Sequence, residues 1–301
     1  MKRMLTIMIM GVLVLMLVMP VQAQLKKRVA VFSFENKSKG GYYWWDGRGP
    51  GDGMADMLTT DLVKSGKYVV IERSEIDKIL QEQRMGQSGL VTPESAAEVG
   101  KLLGVELAIV GAVTEFGMAK GNTGVRVKGI GLGVKSQKAT VAIDVRMINT
   151  STGEILAAEN VRKESTSRGL MVSTRQGRFD NRKDFDSSVT GKATRLAVDN
   201  IMELIDRQME NLPWEGKIIL VQGSKIYFKP GSDGGVKVGD TFTVYAAGQE
   251  LVDPDTGLVL GTTESRVGTI RVNSMLPNGK AAIAGIVSGS GFGKGQFVRL
   301  K

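Results

Sequence analysis

The chain has 301 residues, enough for two domains with sizeable cores, and its mean hydropathy of −0.03 excludes a polytopic helical membrane protein. It has no cysteine and no histidine. Disulfides, thiolate metal sites and a lipid-modified cysteine are excluded, and a hydrolase or metalloenzyme is disfavoured for want of the commonest base and ligand, so no cofactor is expected. The 40 Lys and Arg against 31 Asp and Glu give +9, a charge suited to anionic lipid, lipopolysaccharide, peptidoglycan or an acidic client.

Residues 1–23 read as a secretory signal peptide. Lys2 and Arg3 precede an apolar run, and Ala23 ends a small-residue cleavage pattern. Export makes nucleic acid a poor partner and places the protein in the periplasm or against the outer membrane.

Residues 28–34 form a short apolar run, read as a strand. A glycine-rich loop over 35–53 follows, with Tyr42, Tyr43, Trp44 and Trp45 at its middle. Two readings stay open there. The rings pack onto the domain or a neighbouring subunit, or they form an exposed aromatic surface that grips a polypeptide, sugar or lipid. Asp52 is the expected cap of a helix over 53–65, with Met54, Met57, Leu58 and Leu62 on one face. A strand over 67–72 leads to a helix capped by Ser74, with Ile76, Ile79 and Leu80 facing inward. Thr92, Pro93 and Glu94 start a third helix that stops at Gly104. A strand over 105–113 completes a βαβααβ order.

Glycines punctuate 117–138 and suggest an extended strand pair. The Gly-Ile-Gly-Leu-Gly run at 129–133 lacks both the ending and the strand-to-helix context of a phosphate-binding loop. Over 138–161, Ala139, Val141, Ile143, Val145 and Met147 alternate with Thr140, Asp144 and Arg146. The turn residues Asn149 to Gly153 then reverse the chain into a second strand. Such a hairpin has a fixed register, because a slip of one residue exposes every apolar side chain. Residues 164–188 are strongly polar, as a β-hairpin arm or a solvated loop. The longest helix spans 188–212, with Val189, Ala193, Leu196, Ile201, Leu204 and Ile205 as its stripe, and Pro213 marks the domain boundary. From 216 onward, seven short apolar runs between turn clusters predict a small antiparallel barrel. Asp253 and Asp255 read as turn residues rather than a catalytic acid and base.

Four stretches resemble the curli production assembly/transport component (CsgG-like) family: 29–34; 53–73, ending in Ile71, Glu72 and Arg73; 124–149; and the run from Ser151 to Leu156. They cover most of 28–212. The resemblance implies an α+β fold, an α/β periplasmic domain over 24–213 whose copies form a homo-oligomeric ring. It also implies two hairpins per subunit, here at 117–145 and 162–187, that build a transmembrane barrel exporting a secreted protein. Arg126 and Lys128 would face its lumen, and a loop after the first strand, corresponding to 36–53 with Tyr42–Trp45, would line the constriction. Residues 216–301 resemble the C-terminal domain of flagellar assembly protein T, which implies an SH3-like barrel in an envelope scaffold.

Two functions follow. One is a non-enzymatic secretion component of the outer membrane. The other is a soluble periplasmic assembly scaffold without a pore. The missing anchor cysteine favours the scaffold, as do the charges of both parities in 169–186: Arg175 against Arg178, Arg182 and Asp186. The alternation in 124–134 favours the channel.

Overall fold

In the computed structural model the described residues are 25–39, 47–82, 92–127, 130–168, 181–252, 254 and 259–300. The first lobe contains β1 (Lys27–Val31), β2 (Glu35–Asn36), α1 (Pro50–Ser65), β3 (Tyr68–Val70), α2 (Arg73–Glu82) and α3 (Pro93–Leu103). It continues with β4 (Leu107–Val127), β5 (Ile130–Asn149), β6 (Ile155–Arg168), α4 (Arg182–Ser187) and α5 (Val189–Asn211). The sheet order is β3-β1-β4-β5-β6, and β2 continues the line of β1 along β4. β1 runs parallel to both β3 and β4, whereas β4, β5 and β6 form an antiparallel meander.

The β5–β6 turn shows why that hairpin was legible. The Asn149 side chain accepts from the Ser151 N–H at 2.9 Å, and Gly153 takes a φ of +80°, which favours glycine. Ala139, Val141, Ile143, Val145 and Met147 are buried against α1 and α5, which present Met54, Leu58, Leu62, Ala193, Ala197, Ile201 and Ile205. The opposite face is covered as well. Ile148 joins Ala30, Phe32, Ala108 and Val110 under α2 and α3, and Ala142 is also buried. The sheet is thus the middle of three layers rather than half-buried.

Several expectations are corrected. α1 begins at Pro50, with Gly49 as its N-cap, so Asp52 lies in the first turn and caps nothing. Leu196 is 47 % exposed, and Ala197 and Val198 take the inward positions on α5. The strand expected over 105–113 runs on to Val127. Within the polar stretch after β6, Arg182–Ser187 is helix, with the Asn181 side chain accepting from the Asp184 N–H at 3.0 Å.

The second lobe is a closed barrel of six strands: β7 (Glu215–Gln222), β8 (Lys225–Lys229), β9 (Thr241–Val252), β10 (Val259–Met275), β11 (Ala282–Gly289) and β12 (Phe297–Leu300). Their order round the barrel is β10-β11-β8-β7-β12-β9. Six strands replace the seven expected, because the runs near 259 and 267 belong to the single strand β10, whose register shifts three times against β9. Trp214, Phe228, Phe242, Val244, Ile270 and Val298 fill the interior.

The barrel docks where β4 begins. Lys26 N–H donates to Gly234 C=O at 2.8 Å, and Leu25 packs on the barrel core. The other end of β4 lies 21 residues away, roughly 70 Å along an extended strand.

Candidate functional site: an extended ribbon and the anchor of a loop

β4 and β5 stay paired without interruption from Leu107↔Asn149 to Val127↔Ile130, apart from one bulge near Val113. The core stops before the ribbon does. Phe116 and Ala139 are the last buried residues toward its tip among those whose burial is described. The eleven pairs from Gly117↔Thr140 to Val127↔Ile130 continue beyond that level. Toward the tip, Thr123↔Val134, Val125↔Leu132 and Val127↔Ile130 alternate with Asn122↔Lys135, Gly124↔Gly133 and Arg126↔Gly131. Apolar pairs and polar-or-glycine pairs therefore take turns along the strands.

A belt of ion pairs rings the base of the ribbon, where β6 accompanies β5. Lys138 meets Glu164 at 2.7 Å, and Arg162 contacts both Glu115 and Glu164. The hydrogen bond from Lys138 holds the Glu164 carboxyl below its usual range, and Arg162 adds to the effect. Register brings these groups together. Glu115 pairs with Ala142 and Ala142 with Arg162, so three strands place an acid and a base in one row.

The second feature is the anchor of the loop between β2 and α1. The Arg73 guanidinium, at the start of α2, donates to Ser33 Oγ and to Asp52 at 2.5 Å, reaches Asp56 at 3.4 Å, and lies 3.9 Å from Asp77. Arg48 bridges to Asp56 at 2.6 Å. On the other side of the loop, β2 pairs with β4 and the Asn36 side chain accepts from Ser38. Both ends of the loop are thus tied to the sheet. Gly51 makes the approach of α1 achievable, because a Cβ there would overlap the Phe34 carbonyl oxygen and lie 2.9 Å from its carbon.

Arg73→Ala is expected to cost roughly 1–3 kcal/mol, since it leaves Asp52, Asp56 and Asp77 facing one another without their shared cation. Thermal melting checks the cost. Hydrogen exchange at the first turn of α1 checks its location, and an unchanged exchange rate there would assign the cluster to the surface. Arg73→Lys restores one contact and should recover only part of the loss.

Of the residues singled out from sequence, Tyr42, Tyr43, Trp44, Trp45 and Lys128 lie outside the described residues. Arg126 is the penultimate residue of β4, paired with Gly131. Sequence reading missed Arg73 as a hub. The resembling stretch ends on it, but Ser33, after β1, and Asp52 and Asp56, both in α1, reach it from elsewhere in the chain, and only Asp77 shares its helix. Among the described residues, no helix is long and apolar enough to cross a membrane, a statement that does not bear on strands. No cluster of three or more His, Cys, Asp or Glu able to hold a metal occurs among them either.

Residues 14–223 match the family model described as curli production assembly/transport component CsgG. The curated CsgG proteins of Salmonella typhimurium and Escherichia coli K12 are each 28% identical over 113 residues, which is 36% of this chain and 41% of theirs. The alignment thus spans less than half of those relatives. Among solved structures, lipoprotein GNA1162 from Neisseria meningitidis is 14% identical with a TM-score of 0.33, covering 62% of this chain and 99% of that one. The hypothetical protein CT253 from Chlamydia trachomatis is 17% identical with a TM-score of 0.39, covering 62% and 99%. The family match takes in the whole sheet lobe and ends at the β7–β8 turn, so most of the barrel lies outside it. Because that match covers well over half of the chain, the protein belongs to the curli production assembly/transport component CsgG family.

Proposed function

We propose that this is an exported, non-enzymatic envelope component that assembles as a homo-oligomeric ring and passes or assembles a surface protein, with the β4–β5 ribbon as its membrane-inserting element. The ribbon carries the reading. Eleven pairs extend past the core and eight of them, Lys120↔Gln137 to Val127↔Ile130, lie beyond Lys138, close to the length of about 9–11 residues that a strand takes to cross the hydrocarbon layer. Paired residues share a face and successive ones alternate, so the tip has an apolar side for lipid and a polar side, with Arg126, for a lumen. The ion-pair belt of Glu115, Lys138, Arg162 and Glu164 sits where the ribbon leaves the core, as a water-side limit would require. Tyr42–Trp45, on a loop whose two ends are fixed, are the proposed contact with the passing polypeptide.

A soluble scaffold without a pore is the second reading. It is favoured by the charges that end β6 (Arg162, Lys163, Glu164 and Arg168) and by the helix over Arg182–Ser187, which leaves the second arm without a described strand of spanning length. An SH3-like barrel of the flagellar assembly protein T kind would suit that scaffold equally.

Fractionation with native mass determination, with and without detergent, tests the choice. A ring that needs detergent and sits in the outer-membrane fraction is expected. Val125→Arg should then prevent insertion, because a charge on the lipid side at mid-depth costs about 2–4 kcal/mol per subunit. A ring or monomer that stays in water without detergent would reject the channel, and unaltered partitioning of the Val125→Arg protein would reject the ribbon as its wall.

A further inference from the structure

Three cations gather where the lobes meet. α3 ends at Leu103, and Gly104 follows it with a φ of +66°. A Cβ on Gly104 would stand 3.3 Å from Lys229 Nζ of β8 and 3.7 Å from Arg28 Nη1 of β1. An ammonium of the barrel and a guanidinium of the sheet thus approach one residue, which has no side chain to fill the space between them. Lys217 of β7 joins them, because it pairs with Lys229 and paired residues share a face of the sheet. On its other side Lys217 pairs with Phe297 of β12, and its ammonium stands 5.8 Å from the centre of that ring.

These cations lack the partners that others in the protein have. Arg73, Arg162, Arg195 and Arg299 each pair with a carboxylate. Among the described residues no ion pair reaches Arg28, Lys217 or Lys229, and Arg28 Nε is buried without a hydrogen-bond partner. The carboxylates near them are engaged otherwise. Glu106 Oε2 accepts from the backbone N–H of Arg28 at 2.6 Å, not from its guanidinium. Glu215, on the same strand as Lys217, pairs with Arg299 at 2.6 Å. Lys27, beside Arg28, donates to Met209 C=O. Burial, and after it the charges of Arg28 and Lys217, pull the Lys229 pKa below 10.5, as befits a cation held among cations.

We infer that Arg28, Lys217 and Lys229 form an anion site at the seam of the two lobes, and that the anion is a phosphate group. Three like charges held together are costly until an anion completes the group. The chemistry selects phosphate. β1, β7 and β8 each bring donors from a different strand, which suits a tetrahedral group, and the Arg28 guanidinium is a planar fork of N–H donors. A phosphate monoester carries close to two negative charges at neutral pH, where a carboxylate carries one. The negative groups already at the site are the C-terminus of α3, worth about half a charge, and the Glu106 carboxyl, and three cations outweigh both. A phosphate held there touches the sheet through Arg28 and the barrel through Lys217 and Lys229, so it ties the lobes together. Its source is a soluble phosphate or a phospholipid headgroup, and the site requires neither a ring nor an inserted ribbon.

The test is calorimetric titration of the full-length protein with inorganic phosphate at fixed ionic strength and about pH 8, where the phosphate is mostly dianionic. Saturable binding of one phosphate per chain is expected. Lys229→Gln and Lys217→Gln should each weaken it by about tenfold or more, the loss of one charge-assisted hydrogen bond. Lys192→Gln removes an exposed lysine from α5, on the opposite face of the sheet, and should change nothing. Should Lys229→Gln not fold, Lys217→Gln, whose side chain is exposed, decides alone. Absence of saturable binding overturns the inference, as does binding that the folded glutamine variants keep in full or that acetate displaces equally well. Flotation with phosphatidylcholine vesicles, with and without phosphatidic acid, separates the sources. Added binding that requires both phosphatidic acid and Lys217 identifies a headgroup. Phosphate binding with no gain from phosphatidic acid identifies a soluble phosphate, and either result supports the site. A gain from phosphatidic acid without phosphate binding reflects surface charge alone and overturns it.

Discussion

Gly51→Ala is expected to destabilise the sheet lobe by about 1–3 kcal/mol, although alanine is the better helix former by about 1 kcal/mol. The propensity gain is real, because Gly51 lies in the first turn of α1. It is outweighed by contact. The added Cβ would meet the Phe34 carbonyl group, which is backbone and cannot rotate away. The start of α1 must lift, and Asp52 and Asp56 lift with it, away from Arg73. The prediction thus couples stability to the loop anchor. Melting should fall, and exchange at the start of α1 should rise more than exchange at its end. A variant as stable as the parent would show that α1 shifts freely and that the anchor is not rigid.

Trp214→Ala should have the larger effect on the barrel, about 3–5 kcal/mol, a large share of the 5–15 kcal/mol typical of a whole domain. Trp214 is 6 % exposed. Its ring stacks on Phe242 at 5.2 Å, and Phe242 meets Phe228 edge-on at 5.4 Å. Trp214 lies in the chain between α5 and β7, and its ring belongs to the barrel core. Its Nε1 has no hydrogen-bond partner among the described residues, so Trp214→Phe, which keeps most of the packing, should recover most of the loss. Denaturant unfolding followed lobe by lobe should show the barrel melting first in Trp214→Ala while the sheet lobe holds. A single transition displaced as a unit would instead mean that the two lobes unfold as one.

The β5–β6 hairpin was readable because burial of one face imposes period two, and its turn residues act on their own backbone. The helix beginning at Pro93 was equally local: the Thr92 hydroxyl accepts from the Ser95 N–H at 3.3 Å. Other positions gave no such signal. Ala142 and Ile148 fall on the polar phase of β5 and both are buried, Ile148 because α2 and α3 arrive from elsewhere in the chain. Asp52 has the composition of a cap, but capping depends on backbone angles, and Gly49 adopts them while Asp52 turns to Arg73. Leu196 counts as apolar in any periodicity, yet α5 rotates so that Ala197 faces β5 and β6.

By itself the sequence determined most of the order of strands and helices, though not β2, the helix Arg182–Ser187 or the joining of two runs into β10, together with the cysteine-free and histidine-free chemistry, the family of the first lobe and the antiparallel character of the second. Those properties reside in neighbours along the chain, where alternation, caps and turns act over a few residues. Tertiary structure alone decided that β4 runs on for 21 residues beside β5, that Arg73 gathers Ser33, Asp52 and Asp56, and that the residues before β1 meet the barrel. In each of these, the energy comes from groups distant in sequence, whether a ladder closed by a partner strand, a cation shared by two carboxylates of another helix, or a Lys26 N–H held by Gly234 of the barrel. No local pattern encodes such contacts, because the residues that make them are ordinary until the fold brings them together.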